Sequence, residues 1–138
     1  MGIVHATITL KNLRDDIGAD FGYVGEIRQA QVKTIVDTGA STLCITEELC
    51  SQLGLEIIGE KPVSVANGAR VMAKLADWVE IRWKNRSTAC QPYVIPGGRK
   101  ILLGCIPLEA MDLIVDPVRQ ELAGAHGDEI VHMAVGVY

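Results

Sequence analysis

Ile35-Val36-Asp37-Thr38-Gly39-Ala40-Ser41 is the stretch whose reading decides the fold. Two β-branched residues lead into a carboxylate, and a glycine follows two places later. β-Branched side chains favour extended backbone and glycine permits a sharp turn, so the expected geometry is a strand that delivers Asp37 into a tight loop. A carboxylate held in a loop suits acid-base chemistry, which makes Asp37 the candidate catalytic residue.

Downstream, residues 42–45 again read as strand. Thr46 is placed to cap a short helix, with Glu47 and Glu48 in a first turn where the helix dipole favours acids. Leu49 and Leu53 share one helical face, and Gly54 ends the helix. Asn67-Gly68 then stands between two strand-like arms over residues 62–72 and predicts a hairpin with a two-residue turn. In that register Ala66 faces Ala69, so the tip carries almost no side-chain bulk. Residues 74–84 read as one strand. Leu75, Val79, Ile81 and Trp83 alternate along it with Asp77 interrupting the set, and Trp78 and Trp83 fall on opposite faces.

Residues 85–87 read as a turn, 88–95 as a strand and Pro96-Gly97-Gly98 as another turn. Ile101-Leu102-Leu103-Gly104 reads as a buried strand whose end needs backbone freedom. A short helix follows with Pro107 in its first turn, then a strand at 113–115, a turn at Asp116-Pro117 and a return arm reaching Leu122. After a loop at 124–129 comes a final apolar run, 130–138. Upstream of the opening stretch, residues 5–10 alternate as a strand, and 11–20 read as a solvated loop carrying Asp15 and Asp16. Residues 21–32 suggest one or two strands with a turn near Gly25, and 33–37 a further strand.

Taken in order, Asp37-Thr38-Gly39, the Asn67-Gly68 hairpin and Leu102-Leu103-Gly104 resemble three elements of the single-domain retropepsin-like aspartic proteases. These are the active-site loop, the flap, and the hydrophobic-hydrophobic-glycine element that crosses behind the loop. The resemblance runs over about residues 30–116. It implies a mainly β chain with the closed-barrel acid protease fold, one or two short helices, and a single domain over residues 1–138. It assigns catalysis to Asp37, Thr38 and Gly39, with Thr38 bracing the partner's loop and Gly39 allowing close backbone approach. Ala40, Ala66, Asn67, Gly68 and Ala69 become the residues expected against substrate.

That chemistry requires two carboxylates sharing a proton, one activating water and the other protonating the substrate carbonyl. A single Asp-Thr-Gly occurs in the chain. The expectation is therefore a homodimer acting on peptide or protein, with Asp37 of each copy across a twofold axis. No cofactor or metal is needed. Some members of the family carry serine where this chain has Ala40, and a serine hydroxyl would favour the charged dyad. Alanine withholds that donor, so activity is expected to extend toward weakly acidic or neutral pH. In viral relatives both termini build the dimer sheet, and residues 1–10 and 130–138 are strand-like enough to serve. The competing expectation is a catalytically silent dimerisation or peptide-binding module on the same fold.

The bulk composition agrees with a folded domain. Of 138 residues, 49% are hydrophobic and 22% charged. Thirteen basic and 17 acidic residues leave a formal net charge of −4, which offers neither nucleic acid nor an anionic membrane an attractive field. The N-terminus alternates instead of running apolar, and no stretch approaches the ~20 apolar residues of a membrane span, so a cytoplasmic address is the expectation. Cys44, Cys50, Cys90 and Cys105 form no C-x-x-C pair, and His5, His126 and His132 lie at no zinc-ligand spacing. Reduced, packed thiols are expected.

Overall fold

In the computed structural model, which describes residues 2–22, 25–65 and 67–127, the strand entering Asp37 lies well inside a large sheet. The chain opens with β1 (Val4–Asn12), α1 (Leu13–Asp20), β2 (Gln29–Val36), β3 (Leu43–Ile45) and α2 (Glu47–Gln52). It continues with β4 (Ile57–Ser64), β5 (Arg70–Ala76), β6 (Val79–Trp83), β7 (Arg86–Cys90) and β8 (Tyr93–Val94). Last come β9 (Leu102–Leu103), α3 (Cys105–Ala110), β10 (Leu113–Asp116) and β11 (Glu121–Gly124). Nine strands form one mixed sheet in the order β4-β5-β8-β3-β9-β2-β1-β6-β7, which curls into a half-barrel. The hairpin β10-β11 stands apart from it. The fold is mainly β with short helices, as expected for an acid protease.

β1 shows why the sheet forms. Val4, Ala6, Ile8, Leu10 and Asn12 are buried while the residues between them are not, the alternation that a strand with one covered face requires. It pairs with β2 from Val4 opposite Val36 to Lys11 opposite Gln29, and with β6 over Thr9–Asn12. One edge of the N-terminal strand is thus occupied over nearly its whole length. The run 130–138 lies outside the described residues. The core packs Ile8, Leu10, Leu43, Ile45, Leu53, Ile81 and Leu103, each at most 1% exposed, on the covered side of this sheet.

Several expectations are corrected. Residues 13–20 form α1 rather than a solvated loop, and Asp15 is buried. The Asn12 side chain caps the helix by accepting from the Asp15 N–H at 3.1 Å. Arg28 grips the Asp15 carboxylate through Nε at 2.9 Å and Nη2 at 3.0 Å, and its backbone N–H adds a bond at 3.0 Å. Those hydrogen bonds hold the Asp15 carboxyl below its usual range, although burial opposes them. The helix is tied down by a cap and an ion pair rather than by an apolar stripe, which is why periodicity did not reveal it.

The other corrections are of extent. The chain from 29 to 36 is one strand, with no strand among the described residues of 21–28. The run 74–84 breaks at Asp77 and Trp78 into β5 and β6, and 88–95 divides into β7 and β8. The turn placed at 85–87 lies at Lys84 and Asn85, since Trp83 pairs with Arg86. Arg86 begins β7 and is buried. The helix capped by Thr46 is as expected: Thr46 Oγ1 accepts from the Leu49 N–H at 3.1 Å, and Gly54 follows it at φ +63°.

Candidate active site

β2 ends at Val36, and its continuation is held by a strand from far along the chain. β9 lies between the strand entering the Asp37 loop and the strand leaving it, parallel to β2 and antiparallel to β3. The Ile35 N–H donates to the Ile101 carbonyl at 2.9 Å, and the Asp37 N–H to that of Leu103 at 3.0 Å. Asp37 itself is half-buried. Its Oδ1 accepts from the Gly39 N–H at 2.9 Å, and its carbonyl accepts from the Ala40 N–H at 3.0 Å. These two bonds close the loop and fix the carboxylate against its own backbone. No hydrogen bond among the described residues engages Oδ2. Thr38 and Gly39 are exposed at the tip, and the Thr38 hydroxyl likewise has no partner among the described residues.

Gly104 locks the loop from behind. The Cys105 N–H donates to the Ala40 carbonyl at 2.9 Å and the Ile106 N–H to that of Ser41 at 3.0 Å, which draws the two segments together. A Cβ on Gly104 would stand 2.4 Å from the Thr42 carbonyl oxygen, 2.6 Å from that of Ala40 and 2.7 Å from the Thr42 nitrogen. Backbone conformation is not the reason for the glycine, because its φ of −91° and ψ of −177° suit any residue. The requirement is for contact space. Gly104→Ala should therefore displace residues 40–42 and cost about 1–3 kcal/mol by overpacking. Urea unfolding checks the cost; an unchanged midpoint would mean that the loop yields freely.

Cys44 lies close enough to Asp37 to feel its charge. Burial pushes the Cys44 thiol up and the carboxylate adds to the effect, while burial pushes the Cys90 thiol up to about 11. Neither is a thiolate nucleophile at neutral pH. Among the described residues no group of His, Cys, Asp and Glu could hold a metal ion.

The hairpin expected around Asn67-Gly68 is present as β4-β5, but its turn differs. Ser64 pairs with Arg70, the Val65 N–H donates to the Ala69 carbonyl at 2.9 Å, and the Gly68 N–H donates to the Val65 carbonyl at 2.9 Å. Val65, not Ala66, therefore stands opposite Ala69, and three residues connect the arms. Among the described residues of the turn Gly68 alone takes a positive φ, +84°, as a three-residue connection demands of its last position. Asn67 accepts the Ala69 N–H on its side-chain oxygen at 2.9 Å. Asn67, Gly68 and Ala69 are exposed at the tip, and Ala66 lies outside the described residues. The structure thus gathers Asp37, Thr38, Gly39 and Ala40 in one loop and Asn67, Gly68 and Ala69 at one hairpin tip. No hydrogen bond among the described residues joins the two groups.

Residues 24–109 match the family described as "gag-polyprotein putative aspartyl protease". The chain belongs to this family. The matched span contains the Asp37 loop, the hairpin and Leu102-Leu103-Gly104, the three elements on which the resemblance was drawn. The fold is similar to the retroviral protease-like domain of Ddi1 from Leishmania major, at 15% identity and a TM-score of 0.56 over 94% of this chain and 91% of that one. A retropepsin-like aspartic protease from Rickettsia conorii aligns at 19% identity and a TM-score of 0.47, over 84% of this chain and 89% of that one. No curated protein sequence matches the chain. Among the described residues of this aspartyl protease family member, no helix is long and apolar enough to cross a membrane.

Proposed function

We propose that the protein is an aspartic endopeptidase that works as a homodimer, with Asp37 of each copy forming the catalytic pair across a twofold axis. The observation that carries this reading is the Asp37 loop itself. The carboxylate is fixed by the Gly39 N–H, while Thr38 and Gly39 stand exposed beside it. A second copy placed there would bring its own Asp37 close, and two like charges at short range cannot both stay ionised. The pair then holds one proton. The ionised member draws a proton from a water molecule, the water attacks the scissile carbonyl carbon, and the protonated member donates to the carbonyl oxygen. The exposed Thr38 hydroxyl is available to brace the facing loop, and the β4-β5 hairpin to close over an extended peptide. Water is the nucleophile and the carboxylate pair itself moves the protons, so this reading calls on no cofactor.

Family membership supports the peptidase class; the dimer rests on the single Asp-Thr-Gly. Dilution separates a shared site from a self-contained one. Cleavage of a mixed peptide library should fall with the square of protein concentration once the dimer dissociates, in step with the dimer concentration seen by sedimentation. Cleavage that stays proportional to concentration while only monomer sediments would overturn the shared pair.

A further inference from the structure

The register of the sheet carries the face that holds Asp37 a long way from the loop. Ile35 pairs with Leu102, Leu102 with Cys44, Cys44 with Tyr93, and Tyr93 with Leu75. Directly paired residues point to the same side of a sheet, so these five form one row. Leu75 in turn pairs with Gly59, and Lys61, two places further along β4, shares that side. Glu60 points to the other. The residue two places after Ile35 is Asp37. One surface therefore runs from the carboxylate loop to the arm of the hairpin.

A cavity of about 330 Å³ opens on this surface beside the loop. Ser41 and Thr42, the residues that follow the motif, are among its lining, together with Leu75, Tyr93, Ile106 and Lys61. The volume lies at the small end of ligand sites and suits one large side chain of an extended peptide. Lys61 is the one charged side chain among the residues that line it. Its ammonium is also uncommitted: Lys11, Arg14, Arg28, Arg82, Arg86 and Arg119 each face a carboxylate, whereas the Lys61 side chain has no ion pair or hydrogen bond among the described residues.

We infer that this cavity is a specificity subsite for an acidic substrate side chain, with Lys61 reading its carboxylate. The inference rests on the peptidase reading above and adds a substrate class to it. The apolar groups of Leu75, Tyr93 and Ile106 in the lining displace part of the surrounding water, which strengthens an ammonium–carboxylate contact relative to one in bulk solvent. The Ser41, Thr42 and Tyr93 hydroxyls offer donors to the second carboxylate oxygen, and a basic side chain would meet Lys61 as a like charge.

The experiment compares peptides that differ at a single position, Glu, Gln or Lys, scanned along one extended sequence. The wild type should prefer Glu to Lys about tenfold in kcat/KM at one position, and high salt should shrink the difference. Lys61→Met should lose most of the preference for Glu over Gln, read as the ratio of the two kcat/KM values, and Lys61→Glu should invert the charge preference toward Lys. No charge preference in the wild type, or a preference for Glu that survives Lys61→Glu, overturns the subsite. The same peptides, fluorescently labelled and titrated onto Asp37→Asn protein, keep the two readings apart. Binding that follows residue 61 without cleavage by wild type would sustain the subsite and sink the peptidase. Cleavage indifferent to charge would do the reverse.

Discussion

Asp37→Asn should abolish peptide cleavage and leave the melting temperature unchanged. The substitution keeps the shape of the side chain and a carbonyl oxygen able to accept the Gly39 N–H that now binds Asp37 Oδ1 at 2.9 Å. The Asp37 N–H and carbonyl, which tie the loop to Leu103 and Ala40, are untouched. What is lost is the capacity to hold and pass a proton, and general acid-base catalysis of this kind contributes on the order of 10²–10⁴-fold. A fall of at least about a hundredfold is expected at every pH from acid to neutral. Equal cleavage by both proteins would sink the catalytic claim and leave the silent binding module. Mixing offers a second readout. At constant total protein, an equal mixture of wild type and variant allowed to exchange subunits should hold about a quarter of its dimers as wild type, and so show about a quarter of the activity of wild type alone. Half would indicate a site made within one chain.

The second large effect is expected at Arg86, remote from the Asp37 loop. Arg86 is 2% exposed at the start of β7, and its guanidinium gathers the carbonyls of Met111, Asp112 and Gly127, the second of which also accepts from the Ala125 N–H at 2.8 Å. Nη1 donates to Met111 at 3.2 Å and to Asp112, Nη2 donates to Gly127 at 2.6 Å, and the Asp112 carboxylate lies 3.9 Å from Nη1. Asp112 sits at φ +56° and also meets His126 Nδ1 at 2.8 Å. One side chain thereby fastens the end of α3 and the β10-β11 hairpin to the main sheet. Arg86→Ala strands the buried Met111 carbonyl, releases the part-buried contacts to Asp112 and Gly127 and leaves a void, for a cost of about 3–5 kcal/mol. For a chain of this size that corresponds to a fall of roughly 10–20 °C in Tm. Arg86→Lys should recover only part of it, since one ammonium cannot span all three carbonyls. A loss below ~1 kcal/mol in urea unfolding would mean that water replaces the guanidinium without penalty.

Neither the burial of Arg86 nor the helix at residues 13–20 was legible beforehand, and the reason is the same. Both segments are polar, and pattern reading takes polar runs for solvated loops. Asp15 is instead buried against Arg28, thirteen residues away, and Arg86 against carbonyls 25 to 41 residues away. The local trace that existed was small: Asn12 three residues before Asp15 is a helix-start signal, and only that. The hairpin shows a milder version. Asn67-Gly68 marked the tip correctly, but a dipeptide does not say whether two or three residues bridge the arms. That was decided by the pairing of Val65 with Ala69.

The sequence by itself determined the strand into Asp37, the turn after it, the capped helix at Thr46, the hairpin tip at Asn67-Gly68 and the order of these elements. Each follows from β-branching, glycine, capping or alternation acting over a few neighbouring residues. It also carried the stoichiometry, one Asp-Thr-Gly per chain, from which a second copy is inferred. Tertiary structure alone decided what stands behind the loop and what shares its face. The Leu103 carbonyl meets the Asp37 N–H across 66 positions, Gly104 leaves room for the backbone of residues 40–42, and Lys61 joins the Asp37 surface through five successive strand pairings. Such contacts depend on register, and register is settled by the burial of whole strand faces rather than by any residue's own preference.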